Sequence, residues 1–122
     1  MYILKNKAFG KFARKEGISD VRLRQIVQDA NDGKIDADYG GGVIKQRLAR
    51  PNQGASGGYR SIILFRKGER AFFVYGFAKK DRDNIEPDEV RSFKRLAAIT
   101  FEYTDQDIEA LIQNGTYIKD LK

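Results

Sequence analysis

Apolar positions along this chain recur first at helical spacing, then at strand spacing, then at helical spacing again. A short strand is expected at Tyr2–Leu4. Ala8, Phe9, Phe12 and Ala13 then share one face of a helix over about Lys5–Glu16, with Gly17 as its stop. Ser19 suits the N-cap of a second helix, with Asp20 in its first turn. Leu23, Ile26, Val27 and Ala30 supply its buried stripe and Gly33 ends it. In Val43–Ala49 the pattern changes to alternation, with Ile44 and Leu48 on one face and Lys45 and Arg47 on the other. Tyr59–Arg66 and Arg70–Lys79 are near-continuous apolar runs, as strands buried on both faces read. Lys67-Gly68 joins them as a hairpin connection, and Pro51–Gly58 reads as a flexible loop. Helical spacing returns after Pro87, which suits a first helical position, with Asp88 and Glu89 complementing the dipole. Val90, Phe93, Ala97 and Phe101 form the inward stripe of this helix, and Arg91, Lys94 and Arg95 its solvated face. Thr104 to Asp107 has the spacing of a capping box for a fourth helix that runs to about Asn114. Its inward residues are Ile108, Leu111 and Ile112, and Gly115 stops it. Tyr117–Leu121 adds a short final strand.

At 122 residues the chain reads as one domain, residues 1–122. Its longest apolar run, Ala71–Ala78, is far too short to span a bilayer, and the first residues lack the apolar centre of a signal peptide. Both features fit a cytoplasmic protein with no membrane partner. Charge changes the picture more. Lys and Arg number 23 against 17 acids, a net charge of +6. Lys45, Arg47, Arg50, Arg60, Lys79, Lys80 and Arg82 lie beside or between the three central strands, where a small sheet gathers them into one concave basic surface. Many basic domains carry only a solvated surplus of lysine; this clustering points instead to a polyanion. The chain has no Cys and no His. Disulfides, thiolate metal sites and the commonest general base are therefore excluded. Gly40-Gly41-Gly42 is a turn, not a dinucleotide fingerprint, because a strand follows it and not a helix.

RNA can be cut without either missing residue type. Its 2′-hydroxyl attacks the adjacent phosphodiester when held in line, and the protein orients the strand, neutralises the phosphorane and moves two protons. Arginine forks suit the phosphate oxygens, which favours Arg47 as a clamp. A lysine serves as base only when its pKa falls, as crowding by other cations brings about. Lys45, flanked by Arg47, is the candidate. Tyr39, Tyr59, Tyr75 and Tyr117 are rings on which a base could stack, and each is equally a candidate for the core.

Three segments together resemble a known family. They are Gly40-Gly-Gly-Val-Ile-Lys-Gln-Arg-Leu-Ala-Arg50, then Ser56-Gly-Gly-Tyr-Arg60, then Phe72-Phe-Val-Tyr-Gly-Phe-Ala-Lys-Lys-Asp-Arg-Asp-Asn-Ile85. The chain resembles the RelE-like toxins of type II toxin–antitoxin modules, with closest likeness to the HigB-like, phage-associated branch. The likeness extends in outline to Phe9–Gly17. It implies an α+β fold, a small antiparallel-rich twisted sheet flanked by helices. It also implies ribosome-dependent cleavage of messenger RNA without a cofactor. The implied partners are the ribosome, the message and a cognate antitoxin of helix-turn-helix type, through which alone DNA would be bound. Lys45 and Arg47 match the family's paired cations on the first central strand, and Arg60 the Arg after Gly-Tyr. Lys79, Lys80 and Arg82 match its basic segment after the last long strand, where Ile85 and Glu86 stand in place of an aromatic. The resulting expectation assigns catalysis to Lys45, Arg60, Lys79 and Lys80, and RNA binding to Arg47, Arg50, Tyr59 and Arg82. Relatives of the ParE type act on DNA gyrase, so a gyrase-directed toxin is one alternative. A non-enzymatic RNA-binding regulator is the other.

Overall fold

A computed structural model of the chain describes residues 1–48 and 58–119. Arg50 and nearly all of the loop expected over Pro51–Gly58 lie outside the described residues. The elements are β1 (Tyr2–Asn6), α1 (Lys7–Glu16), α2 (Asp20–Asn31), β2 (Ala37–Gly40), β3 (Val43–Leu48), β4 (Tyr59–Arg66), β5 (Arg70–Ala78), α3 (Pro87–Phe101), α4 (Asp105–Gln113) and β6 (Tyr117–Lys119). The strands form one sheet in the order β2-β3-β4-β5-β1-β6. Its pairs are antiparallel except β1 with β5. This is the α+β architecture expected, a mostly antiparallel sheet with helices against it. No helix among the described residues is long and apolar enough to cross a membrane.

The helices begin where side chains satisfy their free N–H groups. Asn6 accepts from the Phe9 N–H at 2.8 Å, so α1 starts at Lys7, not at Lys5. Lys5 belongs to β1 and pairs with Asp20 at 2.7 Å. Ser19 caps α2, and Thr104 and Asp107 form a reciprocal capping box on α4. Pro87 opens α3 behind a second reciprocal box between Glu86 and Glu89.

The sheet is buried on both faces. On one, Ile44, Leu48, Tyr59, Ile63, Ala71 and Phe73 pack with Phe9, Ala13, Leu23, Ile26 and Val27 of α1 and α2. On the other, Val43, Ile62, Leu64, Phe72, Val74 and Phe77 pack with Ala97 of α3, Ile108 of α4 and Tyr117 of β6. One irregularity decides which aromatic rings reach the second face. Register in the β4–β5 ladder slips between Ile62 and Ile63, so that Ile63 opposes Phe73 and Ile62 opposes Tyr75, leaving Val74 as a bulge. The Val74 carbonyl accepts from the Asn6 side chain at 3.1 Å. Beyond the bulge, Tyr75 and Phe77 face the same side as Ile62 and Arg60. Gly76 faces α1, where a Cβ would lie 2.4 Å from a ring carbon of Phe12, so only glycine fits.

One strand goes beyond expectation: the sequence reading assigns no element to Ala37–Tyr39, and β2 is found there. It forms by antiparallel pairing with Val43–Lys45. β6 begins at Tyr117 as expected and pairs with β1; the expected continuation to Leu121 lies outside the described residues.

Candidate nucleic-acid interface

Three rows of residues cross the second sheet face. Arg47 opposes Arg60, and Arg60 opposes Phe77. The next row is Lys45, Ile62 and Tyr75, and the third is Val43, Leu64 and Phe72. The face therefore grades from cationic to apolar along the strands. Helix α3 covers the apolar end, where Phe101 lies against Gly42.

At the cationic end two arginines stand directly opposite each other on paired strands, an arrangement that is destabilising unless a counter-charge intervenes. Asp36 supplies it. Its Oδ1 lies 3.1 Å from Arg47 Nε, and its Oδ2 lies 3.8 Å from Lys45 Nζ and 3.9 Å from Arg60 Nε. The Arg60 side chain is only 6% exposed and that of Lys45 13%, whereas that of Arg47 is 65% exposed. Arg60 Nη1 also donates to the Tyr59 carbonyl at 3.1 Å. The segment carrying Asp36 is stapled to the sheet by buried Gln46. Gln46 accepts from the Asp36 N–H at 2.8 Å and donates to the Lys34 carbonyl at 2.9 Å.

Two further expected cations follow β5. Lys79 continues the ladder beyond β5, donating its N–H to the Gly58 carbonyl at 3.1 Å. The alternation of β5 carried one residue further puts Lys79 on the Arg60 side. Lys80 is exposed in the turn that follows. Two rings border the cluster, Tyr75 in the sheet and Tyr39 of β2, whose hydroxyl donates to Asn84. Burial, and then the Asp36 carboxylate, push the Tyr39 phenol above its ordinary pKa, which keeps it a neutral donor.

The family model for the RelE toxin of the RelE/RelB toxin–antitoxin system matches residues 1–119. The chain belongs to the RelE toxin family. It is thus the toxin of a toxin–antitoxin pair, and its partner is a cognate antitoxin. No curated protein matches it significantly.

Within this RelE-family toxin, the structure brings Lys45, Arg47 and Arg60 together around Asp36, and Lys79 and Lys80 follow in the turn after β5. Arg50 lies outside the described residues. Tyr59 is corrected: it occupies the opposite face, 2% exposed, with its ring edge-on to Phe12 and its hydroxyl donating to Glu16 at 2.5 Å. The two-residue strand period forces this, since Arg60 next to it faces the site. Tyr117 packs on Phe72 from the far sheet edge. Sequence reasoning missed Asp36. The one signal for it is the opposition of Arg47 and Arg60, which no sequence spacing reveals.

Arg82 has a different part from the one expected. Its guanidinium is held by both Glu89 oxygens at 2.6 and 3.2 Å, donates to the Tyr75 hydroxyl at 3.1 Å, and its Nε donates to the Asn84 carbonyl at 2.9 Å. It fastens the β5–α3 connection over Tyr75 and Phe77, and so positions the Lys79–Lys80 turn. The Arg82 fork, followed by the Glu86 N–H, holds the Glu89 carboxyl below its ordinary value of 4.5. A depressed carboxylate pKa contributes stability that is present above the unfolded value and lost as pH falls through the folded one. Thermal melts should therefore show wild type more stable than Glu89→Gln near pH 6, with the gap closing progressively below pH 4.5. A gap independent of pH would remove the Arg82–Glu89 pair as its source.

Proposed function

We propose that this toxin cleaves messenger RNA on the ribosome by attack of the RNA's own 2′-hydroxyl, and that it belongs to the HigB-like branch of its family. The observation that carries the proposal is the convergence of Lys45, Arg47 and Arg60 on the Asp36 carboxylate at the cationic end of the sheet face. Arg60 and Arg47 hold the non-bridging oxygens of the scissile phosphate, with Arg50 as a further clamp. These charges are fixed before substrate arrives, so stabilising the phosphorane requires little reorganisation. Lys45 lies next to the phosphate position, and in its neutral amine form it takes the 2′-hydroxyl proton. The O2′–P bond forms, the P–O5′ bond breaks, and Lys79 or Lys80 gives a proton to the departing 5′-oxygen. Tyr39 offers a stacking surface to a neighbouring base.

The product ends test the mechanism. Translating ribosomes programmed with a labelled message, mixed with the toxin and quenched at short times, should yield 2′,3′-cyclic phosphate or 3′-phosphate ends upstream and 5′-hydroxyl ends downstream. Primary products with 5′-phosphate ends would show attack by water and overturn it. Transcripts left intact in cells arrested by the toxin, mapped by primer extension, would move the target to gyrase.

A further inference from the structure

Asp36 is the acid that, among the described residues, pairs with Lys45, Arg47 and Arg60, and the proposed phosphodiester chemistry gives it no task. We infer that the Asp36 carboxylate is an internal stand-in for phosphate. In the free toxin it occupies the point between Lys45, Arg47 and Arg60, and an incoming backbone phosphate displaces it. This rests on the reading of the face as a polyanion site.

The geometry supports exchange over permanent pairing. Only the contact with Arg47, at 3.1 Å, is within hydrogen-bonding distance; those with Lys45 and Arg60, at 3.8 and 3.9 Å, are looser. A phosphate presents more oxygens than a carboxylate and can engage both arginine forks and the ammonium together. The Asp36 backbone is pinned by Gln46, so displacement requires only rotation of a short side chain. A cavity of about 280 Å³ borders the segment that carries Asp36, with Asp29, Lys34, Gln46 and Arg47 among its lining residues.

Two consequences follow from the charge balance. Before substrate arrives, Asp36 holds three mutually repelling cations in register. It also lowers the attraction of the free toxin for stray nucleic acid, because a phosphate must first eject it. Removing the negative charge should therefore tighten binding of any polyanion, whatever happens to cleavage.

The test uses a fluorescein-labelled 2′-O-methyl RNA dodecamer, which cannot be cut by 2′-hydroxyl attack, in anisotropy titrations from low to moderate salt. Asp36→Asn should bind it about 3- to 10-fold more tightly than wild type at low salt, with a salt slope steeper by about 0.7. Asp36→Glu, which restores the charge, should return the lower affinity. Unchanged or weaker binding by a folded Asp36→Asn protein would overturn the inference and make Asp36 a purely structural pair. Binding by wild type that Lys45→Glu with Arg47→Glu leaves untouched would remove the polyanion reading itself, and the inference with it. A measurement on the unaltered protein guards against misfolding of the variant. Inorganic phosphate titrated into labelled toxin should shift the Asp36 carboxylate and Arg47 Nε resonances together; an Asp36 resonance that stays fixed while Arg47 shifts would also overturn the exchange.

Discussion

Replacing Arg60 with alanine is expected to abolish growth arrest by the toxin while leaving the protein folded and able to bind its antitoxin. Arg60 lies in the central strand β4 between Arg47 and Phe77, with its guanidinium among the converging cations and its side chain almost wholly covered. A covered charge at the phosphorane acts with little solvent screening, so its loss should lower cleavage about 10²- to 10³-fold. Arg60→Lys keeps the charge but not the bidentate fork, and should fall between wild type and alanine. Arg60 also balances Asp36 and donates to the Tyr59 carbonyl, so some stability is lost as well. Circular dichroism, a thermal melt and an antitoxin pull-down separate that loss from the loss of activity. Full toxicity of a folded, normally expressed Arg60→Ala protein would take Arg60 out of the site.

The largest structural effect is expected at the turn between β2 and β3. Gly42 has φ +84°, and a Cβ there would lie 2.3 and 2.6 Å from ring carbons of Phe101 at the end of α3. Gly42→Ala thus combines left-handed backbone strain with overpacking, each of order 1–3 kcal/mol. Together they should lower the melting temperature by roughly 10–20 °C. Gly41→Ala is the matched control. Its φ is +63°, but the nearest atoms are side-chain methylenes of Lys94, the closest at 3.3 Å, which can move aside. It should lose less than half as much. Gly42→Ala should cost less in a Phe101→Ala background than in wild type, because the ring clash is gone and only the backbone part remains. A melting temperature for Gly42→Ala within about 2 °C of wild type would mean that α3 docks less rigidly than the ring contact implies. The stakes extend to the site, because Phe101 anchors α3 over the apolar end of the sheet face that carries the cationic cluster at its other end.

Both residues show what each level of information decides. The alternation in β3 was enough to put Lys45 and Arg47 on the face opposite Ile44 and Leu48, because side chains alternate whatever the strand pairs with. Ser19, Thr104, Asp107 and Pro87 marked helix starts for a similar reason, since a cap acts within one turn of chain. Gly40 to Gly42 were legible as a turn, but not as the turn that makes β2 a strand, nor as the seat of Phe101. The motifs carrying the family likeness gave Arg60 its place beside Lys45 and Arg47 as an expectation. Its direct opposition to Arg47 came only with the β3–β4 register.

The amino-acid sequence by itself determined the helices, the longer strands, the two faces of β3 and the stock of cations. Tertiary structure alone decided the parallel pairing of β1 with β5 and the Val74 bulge that turns Tyr75 and Phe77 toward the site. It also decided the capture of Arg82 by Glu89 and the position of Asp36. The physical reason is range. Caps, turns and alternation depend on neighbours within a few residues. Register, bulges and ion pairs depend on which distant strand closes against which, and that is set by the packing of the whole sheet between its helices.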